Sequence, residues 1–301
     1  MSKTKDTSAS RKNGALWANT KLVRTRVGDI HCVKHDEFIG KSLQLYGEWA
    51  QVEIDRLLDY VKPGNFVLDI GANIGFHTLS FARRVGARGQ VWAFEPDPVN
   101  GLLLRLNILN AGMENVVVPF DVAASDKAGL SKFRTYPIGM PNNFGHTAID
   151  EETGDYTRLA TPLDALNIER PPTLIKIDIE GHELHALQGM RALLQFAHPV
   201  LSVEAEDAES ADDITAFLAE LGYDVYDFVT NAFNPANFSG RAADVWNGAG
   251  RCANLLCVVP DTHRRPEDMP LRRAATVRAC PLAQTARIDG FDLLPQSSPN
   301  E

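Results

Sequence analysis

Cysteine is scarce in this chain of 301 residues, which has only four: Cys32, Cys252, Cys257 and Cys280. None of them forms a Cys-x-x-Cys pair, so the sequence supports neither a zinc knuckle nor a disulfide framework. Apolar runs are short as well, and none reaches the roughly 18 residues that a membrane-spanning helix needs. The N-terminus also lacks the apolar core of a signal peptide. From these absences we expect a cytoplasmic protein without an integral membrane segment.

An excess of positive charge is missing too, because the formal net charge is -9. A general nucleic-acid surface would be basic, so we expect no nucleic-acid partner. The hydrophobic share of 44% and the charged share of 23% are those of an ordinary globular protein. The length suits one large α/β domain with appendages, or two small domains.

The stretch 67–76, VLDIGANIGF, begins as a short apolar run, breaks at two glycines and continues into a helical pattern. It predicts the first strand–turn–helix unit of a doubly wound α/β sheet, where a nucleotide-like ligand lies over the carboxyl end of the strand. The middle glycine of the dinucleotide fingerprint G-x-G-x-x-G is absent, and an acid, Asp69, lies at the strand end. A carboxylate suits the cationic S-adenosylmethionine better than the pyrophosphate of NAD. We therefore predict four cofactor-binding residues here: Asp69, Gly71, Asn73 and Gly75.

Two further acids follow the next predicted strands. Glu95 comes directly after strand 90–94, where a Rossmann-type fold places an acid that accepts hydrogen bonds from the ribose hydroxyls. Capping of the following helix is the alternative role for Glu95. Asp121 comes directly after strand 116–120, and we expect this residue or the adjacent backbone to border the adenine ring.

The fourth predicted strand, 174–179, ends in the charged sequence KIDIEGHE at 176–183. Charged and apolar residues alternate there, so at least one charge must lie near the buried face of the sheet. Such a charge is unfavourable unless it is paired or functional. A self-contained pair of Lys176 with a carboxylate is the structural alternative. The fifth predicted strand, 199–203, is again followed by an acid, Glu204, and the loop 141–147 carries His146 as a weaker candidate base.

Composition divides the chain into four segments. We expect a flexible tail over 1–20, N-terminal strands and a lid or edge helix over 21–62, an α/β domain over 63–260, and a poorly ordered extension over 261–301. The N-terminal strands are expected at a sheet edge, and the helix after Trp49 is expected to lie across that edge.

These motifs resemble, in order and spacing, the FkbM-type methyltransferases. The resemblance covers roughly residues 45–260 and is carried by the Gly47–Glu48 pair and by the segments 67–76, 94–96, 142–147, 161–166 and 175–183. It implies a Rossmann-like class I methyltransferase fold, a seven-stranded, mostly parallel sheet with helices on both faces. It also implies S-adenosylmethionine-dependent O-methylation, commonly of a hydroxyl on a sugar, glycolipid or secondary metabolite. The resemblance alone places Glu48 at the methionine end of the cofactor.

The expected mechanism is in-line attack of an acceptor oxygen on the sulfonium methyl group, helped by alignment of the reactants and by a general base. Asp178 and His182 are the first candidates for the base, with Glu180 and Glu204 as alternatives. A Mg²⁺ site formed by Asp178, Glu180 and Glu204 is a minority interpretation, and we predict no metal. The expected partner is a small-molecule or glycan acceptor, which the resemblance does not identify further.

Three other functions stay open from the sequence. A nicotinamide-dependent oxidoreductase would share the fold but is disfavoured by the missing glycine. A nucleic-acid methyltransferase is disfavoured by the net charge and by the lack of an Asn/Asp-Pro-Pro-Tyr/Phe motif. A non-catalytic module that binds S-adenosylmethionine is disfavoured by the intact set of acids.

Overall fold

The computed structural model describes residues 16–134, 136–146, 148–205, 207–260 and 262–272. The predicted N-terminal tail and C-terminal extension therefore lie largely outside the described residues. Within the described part of the chain, no helix combines the length and the apolar character needed to cross a membrane.

The strands are β1 Thr20–Thr25, β2 Gly28–Val33, β3 Phe66–Ile70, β4 Gln90–Phe94, β5 Val117–Phe120, β6 Ala123–Ala124, β7 Gly129–Phe133, β8 Tyr156–Thr161, β9 Leu174–Ile177, β10 Val200–Glu204, β11 Asp224–Asn231, β12 Arg251–Val258 and β13 Leu271–Arg272. The helices are α1 Ile39–Tyr46, α2 Gln51–Leu58, α3 Phe76–Val85, α4 Pro98–Asn110, α5 Glu183–Gln188, α6 Arg191–Ala197 and α7 Ala208–Glu220. Short 3-10 turns cover Gly86–Arg88 and Leu163–Leu166.

The central sheet has the strand order β13-β11-β12-β10-β9-β3-β4-β5. Strands β10, β9, β3, β4 and β5 are parallel, and β12, β11 and β13 continue the sheet in antiparallel pairs. This confirms the predicted Rossmann-like, mostly parallel sheet. It has eight strands rather than seven, because the two-residue strand β13 pairs with β11 and lies within the segment expected to be poorly ordered.

Helices cover both faces of this sheet, as predicted. On one face, Ile54 of α2 and Leu79 of α3 pack in one core cluster with Val67. On the other face, Leu187 of α5 packs in a second cluster with Leu68. Neighbouring residues of a strand point to opposite faces, so Val67 and Leu68 serve different clusters. All five residues of β3 are buried, which explains why its sequence is an almost continuous apolar run.

The N-terminal strands differ from the expectation. Strands β1 and β2 pair with each other in a separate two-stranded sheet instead of joining an edge of the central sheet. Asn107 of α4 holds β2 in place, because it accepts a hydrogen bond from the His31 amide at 2.7 Å and donates one to the His31 carbonyl at 3.0 Å. The predicted helix after Trp49 is present as α2, and a second helix that was not predicted, α1, precedes it.

A third, three-stranded sheet has the order β6-β8-β7. The sequence predicts an added strand over 130–136, which β7 overlaps, whereas no strand was predicted at β8. Ala123 and Ala124 of β6 and Phe133 of β7 line the cavity at the carboxyl ends of the central strands, so this small sheet forms one wall of the candidate site.

Candidate active site

A cavity of about 260 Å³ lies at the carboxyl ends of the central parallel strands. It is lined by six of the residues predicted to bind cofactor or to act in catalysis: Gly71, Asn73, Glu95, Asp178, Glu180 and His182. Glu204, a further candidate base, also lines it. Asp69, Gly75, Asp121 and Glu48 are not among the lining residues. The structure thus brings together most, but not all, of the predicted site.

The turn after β3 requires glycine at its first position. Gly71 has φ +80°, and a Cβ atom there would lie 1.8 Å from the Asp178 carbonyl oxygen. The backbone of this turn therefore passes directly against the end of β9, and Gly71 also lines the cavity. Gly75, with φ +94°, begins helix α3, and a Cβ atom there would lie 2.7 Å from Leu104. Gly75 shapes the turn without facing the cavity.

Asp69 lies beneath this turn and is fully buried. Its carboxylate accepts a hydrogen bond from the Thr78 hydroxyl at 2.5 Å, and the Lys176 ammonium is 4.0 Å away. Burial raises the pKa of Asp69, and the charge of Lys176 opposes that shift. Asp69 therefore stabilises the backbone beneath the cavity, and its buried carboxylate does not line the cavity.

Glu95 lines the cavity at the end of β4 and is 5% exposed. Its two oxygens accept hydrogen bonds from the backbone amides of Asn73, at 2.7 Å, and Asp97, at 2.8 Å. Burial, and then the charge of Asp97, raise the pKa of Glu95 to about 8. Each carboxylate oxygen has more than one acceptor lone pair, so Glu95 keeps acceptor capacity for the hydroxyl groups of a ligand.

Asp121, after β5, does not line the cavity. Its side chain is 59% exposed and forms an ion pair with Arg105 at 2.9 Å. The next residue, Val122, does line the cavity. The sequence analysis left two candidates for the contact with the adenine ring, Asp121 and the adjacent backbone. The position of Val122 favours the backbone.

Glu48 is buried away from the cavity, at 1% exposure. Its carboxylate pairs with Arg26 at 2.6 Å and accepts hydrogen bonds from the Asn234 side chain at 2.8 Å and the Phe238 amide at 2.9 Å. These partners connect the segment after α1 to the loop between β11 and β12. Glu48 therefore stabilises the position of the loop between β11 and β12.

The end of β9 carries a chain of charges. The Lys176 ammonium lies 2.9 Å from Asp178, and a hydrogen bond joins Asp178 to Glu204 at the end of β10. Although burial opposes ionisation of Asp178, the charge of Lys176 and the hydrogen bond from Glu204 hold its pKa below the usual range. Burial and the charge of Asp178 raise the pKa of Glu204 to about 11. Glu204 is therefore protonated at neutral pH and donates to the Asp178 carboxylate.

Asp178, Glu180 and Glu204 also form the group whose spacing suits a metal ion, since one oxygen from each lies within 4.8 Å of the others. Oxygen ligands at that spacing fit a hard divalent cation. The Lys176 ammonium, 2.9 Å from Asp178, already offsets part of the negative charge of this group. Metal binding therefore stays the minority interpretation.

The two histidines near this end differ in character. His182 is 3.0 Å from the Ser125 hydroxyl and stacks on His185 at 4.5 Å, and burial, then the charge of His185, lower its pKa to about 4. His146 lies on the loop before β8, and its Nδ1 is 2.5 Å from Glu180. Glu180 has a positive φ of +57°, in a turn that directs the chain from β9 into α5. The structure thus joins the weaker candidate His146 to a predicted catalytic acid.

The lining residues that the sequence analysis missed include two buried ionisable side chains, Glu53 of α2 and His77 of α3. Both are buried, with exposures of 3% and 8%. Glu53 lies one turn before Leu57 on the buried face of α2. An acid within an apolar helical stripe was therefore the signal that could have identified it.

A parallel sheet with this strand order, a glycine turn after β3 and an acid at the end of β4 define the site of a class I methyltransferase. The sequence profile of the family described as "Methyltransferase FkbM domain" matches residues 69–225, more than half of the chain. The chain belongs to this family, which confirms the resemblance seen in the sequence. Its cofactor is S-adenosylmethionine.

Known proteins similar to the chain include two methyltransferases whose names state the methyl acceptor. The chain is 32% identical over 191 residues to "Hexuronic acid methyltransferase AglP" of Haloferax volcanii, covering 62% of this chain and 74% of that protein. It is 30% identical over 106 residues to "Ribosomal RNA large subunit methyltransferase E" of Bdellovibrio bacteriovorus, covering 32% of this chain and 52% of that protein. The expected exclusion of nucleic acid is therefore not supported by these relatives.

Among solved structures, "Methyltransferase FkbM" from Methylobacillus flagellatus is similar, with a TM-score of 0.45 and 18% identity. The match covers 68% of this chain and 50% of that chain.

The residues of the cavity fit S-adenosylmethionine. The backbone at Gly71 lines the cavity, and Glu95 presents acceptor oxygens at the neighbouring strand end. The lining contains several acids, which suits a ligand with a sulfonium and an ammonium group. Gly71, Asn73 and Glu95 would hold the adenosine part of the cofactor, which supplies an electrophilic methyl group when bound.

Proposed function

We propose that this chain is an S-adenosylmethionine-dependent O-methyltransferase whose acceptor is a hydroxyl group on a sugar, glycolipid or secondary metabolite. The observation that carries the proposal is that one cavity contains both Glu95, at the end of β4, and Asp178 and Glu180, after β9. A cavity with this lining would hold the donor and the acceptor of a methyl transfer side by side. Holding the reactants in line there supplies much of the rate enhancement.

A sugar acceptor is supported by the similarity to a hexuronic acid methyltransferase. The charges of the site favour a neutral hydroxyl over a carboxylate as the attacking group. An acceptor carboxylate beside Asp178 and Glu180 would experience repulsion from both acids, whereas a hydroxyl can donate its hydrogen bond to them.

The attacking hydroxyl must lose its proton, and the pair His146–Glu180 is suited to accept it. Glu180 contacts His146 at Nδ1, which orients the ring and directs Nε2 to act as the proton acceptor. With S-adenosylmethionine bound, the acceptor oxygen would form its bond to the methyl carbon as the bond from that carbon to sulfur breaks, which leaves S-adenosylhomocysteine, while the hydroxyl proton would pass to Nε2 of His146. Asp178 and His182, the first candidates from the sequence, are weaker bases because both have lowered pKa values.

The proposal is tested by transfer of a labelled methyl group from S-adenosylmethionine to a panel of neutral sugars, uronic acids and ribosomal RNA. We expect label on a sugar hydroxyl, and a decrease of about 10²- to 10⁴-fold in the rate for the variant Glu180→Gln. The exposed Glu114→Gln is the matched control and should keep the wild-type rate.

Label on ribosomal RNA would replace the sugar proposal by a nucleic-acid function. Binding of the cofactor without transfer to any acceptor class would support the non-catalytic module. A Glu180→Gln variant with the wild-type rate would remove the pair His146–Glu180 from the mechanism.

A further inference from the structure

Two buried polar atoms in the cavity wall form a long ion pair with each other but make no hydrogen bond. Glu53 Oε1, on α2, and His77 Nε2, on α3, make no hydrogen bond to any described residue. The two atoms are 3.6 Å apart, too far for a hydrogen bond between them. A buried polar atom without a hydrogen bond is unfavourable, so a pair of them facing one cavity points to a ligand that completes both.

The pair lies on the opposite side of the Gly71 turn from Glu95. In the sheet, β3 is flanked by β4, which leads to Glu95, and by β9, which carries Lys176. Burial lowers the pKa of the Lys176 ammonium, but the charges of Asp178 and Asp69, and then that of Glu53, raise it, so Glu53 lies near Lys176. His77 in turn interacts with Asp69 and Asp178. Glu53 and His77 therefore belong to the β9 side of the turn.

S-adenosylmethionine has a matching arrangement, with the ribose on one side of the sulfur and an amino-acid group on the other. That amino-acid group consists of an ammonium, which only donates hydrogen bonds, and a carboxylate, which only accepts them. Glu53 offers a free acceptor oxygen, and a His77 ring protonated at Nε2 offers a free donor. With the ribose at Glu95 and the sulfur above Gly71, the amino-acid group would reach this pair.

We propose that Glu53 and His77 bind the amino-acid end of S-adenosylmethionine, Glu53 accepting from the ammonium and His77 donating to the carboxylate. This inference rests on the proposed function, because it needs S-adenosylmethionine in this cavity. It moves the recognition of the methionine end from Glu48, whose carboxylate is satisfied by Arg26, Asn234 and Phe238, to Glu53 on the following helix.

The test is calorimetric titration with two ligands, S-adenosylhomocysteine and 5′-methylthioadenosine. Both contain adenine, ribose and sulfur, but 5′-methylthioadenosine has no amino-acid group. We expect Glu53→Gln to weaken S-adenosylhomocysteine about tenfold or more, since hydrogen bonds to charged groups are the strong ones, and to change the affinity for 5′-methylthioadenosine less than about twofold. His77→Phe, which keeps a ring but has no donor, should show the same selectivity.

Asp55→Asn is the matched control, because it changes an acid to its amide on the exposed side of the same helix. It should leave both affinities unchanged. Equal weakening of both ligands by Glu53→Gln, or no change in either, would overturn the proposal, because the role of Glu53 would then be structural or absent. A wild-type protein that is folded and binds neither ligand would instead overturn the proposed function, and this inference would fall with it.

Discussion

The ends of β4 and β9 present a buried acid, Glu95, and a partly exposed acid, Asp178, in opposite states. Glu95, after β4, has a pKa raised to about 8, whereas the pKa of Asp178, after β9, lies below its usual range. Two residues before each acid, on the same face of its strand, the chain has Ala93 in the first case and Lys176 in the second. The Lys176 ammonium contacts Asp178, whereas the Glu95 carboxylate accepts hydrogen bonds from two backbone amides and has no cation within ion-pair distance among the described residues.

The difference between Glu95 and Asp178 shows that the presence of an acid at a strand end does not by itself determine the charge of the site. The buried Lys176 ammonium on the same strand keeps Asp178 ionised. Strand β4 has no such cation, so burial raises the pKa of Glu95 to about 8, close to neutral pH. The β4 side can thus respond to a ligand by losing a proton, whereas the β9 side holds a fixed negative charge.

Replacement of Lys176 should have the largest effect, because it removes the cation that distinguishes the two strand ends. The side chain of Lys176 is 3% exposed and lies between Asp69 and Asp178. Lys176→Met leaves both carboxylates without a counter-charge, so we expect a loss of about 3–5 kcal/mol in the free energy of unfolding, measured with urea. Lys127→Met, at a side chain 87% exposed, is the control and should change it by less than about 0.5 kcal/mol. A loss below about 1 kcal/mol for Lys176→Met would show that the charge support at β9 is not structural.

The contact between the β3 turn and the end of β9 gives the next largest effect. Gly71→Ala places a Cβ atom 1.8 Å from the Asp178 carbonyl oxygen, so the strand ends must separate. Backbone strain of this kind costs about 1–3 kcal/mol, and cofactor affinity should decrease as well. Gly64→Ala is the matched control, since Gly64 also has a positive φ, +85°, but nothing lies within 4 Å of the added atom. If urea unfolding gives equal losses in the free energy of unfolding for the two variants, the cost comes from the left-handed backbone conformation and not from the contact with β9.

The titration of Glu95 separates the two acids by pH. Its folded-state pKa of about 8 lies above the ordinary value of 4.5. Its contribution to folding stability is therefore fully present below 4.5 and is lost as the pH rises through about 8. Ribose hydroxyls donate to the ionised form, so affinity for 5′-methylthioadenosine should fall up to about tenfold per pH unit below this pKa.

Calorimetry between about pH 6.5 and 8.5 measures this effect, and 5′-methylthioadenosine avoids the titrating amine of the full cofactor. Glu95→Gln should remove the pH dependence along with part of the affinity. Asp178 does not titrate in this range because its pKa is lowered, so Asp178→Asn should leave the slope unchanged. A flat profile for the wild type would contradict an ionisable ribose contact.

Much of the fold follows from local patterns. Strands β3, β4, β9 and β10 are predicted because buried parallel strands are short apolar runs bounded by turn residues. Strand β8 was not predicted, because its alternating, half-exposed sequence is defined by pairing with the distant β6 and β7. The eight-residue helix α1 is too short for its periodicity to stand out.

The site is predictable where strand ends determine it. Glu95, Asp178 and Glu180 line the cavity because the carboxyl ends of parallel strands meet at one edge of the sheet. Glu53 and His77 were missed, since their meeting depends on how α2 packs against α3. The pairing of His146 with Glu180 depends on the path of a loop, which sequence periodicity does not encode.

The smallest effect is expected at the end of β5, where Asp121 offers a third strand-end acid for comparison with Glu95. Its side chain is 59% exposed and its partner, Arg105, is 41% exposed, and ion pairs of this kind contribute about 0–1 kcal/mol. Asp121→Asn should therefore change the affinity for S-adenosylhomocysteine less than about threefold, against about tenfold or more for Glu95→Gln, both measured by calorimetry. If instead the two variants lose affinity equally, Asp121 must turn from Arg105 toward the adenine ring on binding, as the sequence first suggested. A small effect would leave the backbone at Val122 as the part of this strand end that contacts the cofactor, and burial rather than the type of side chain would then distinguish the two acids.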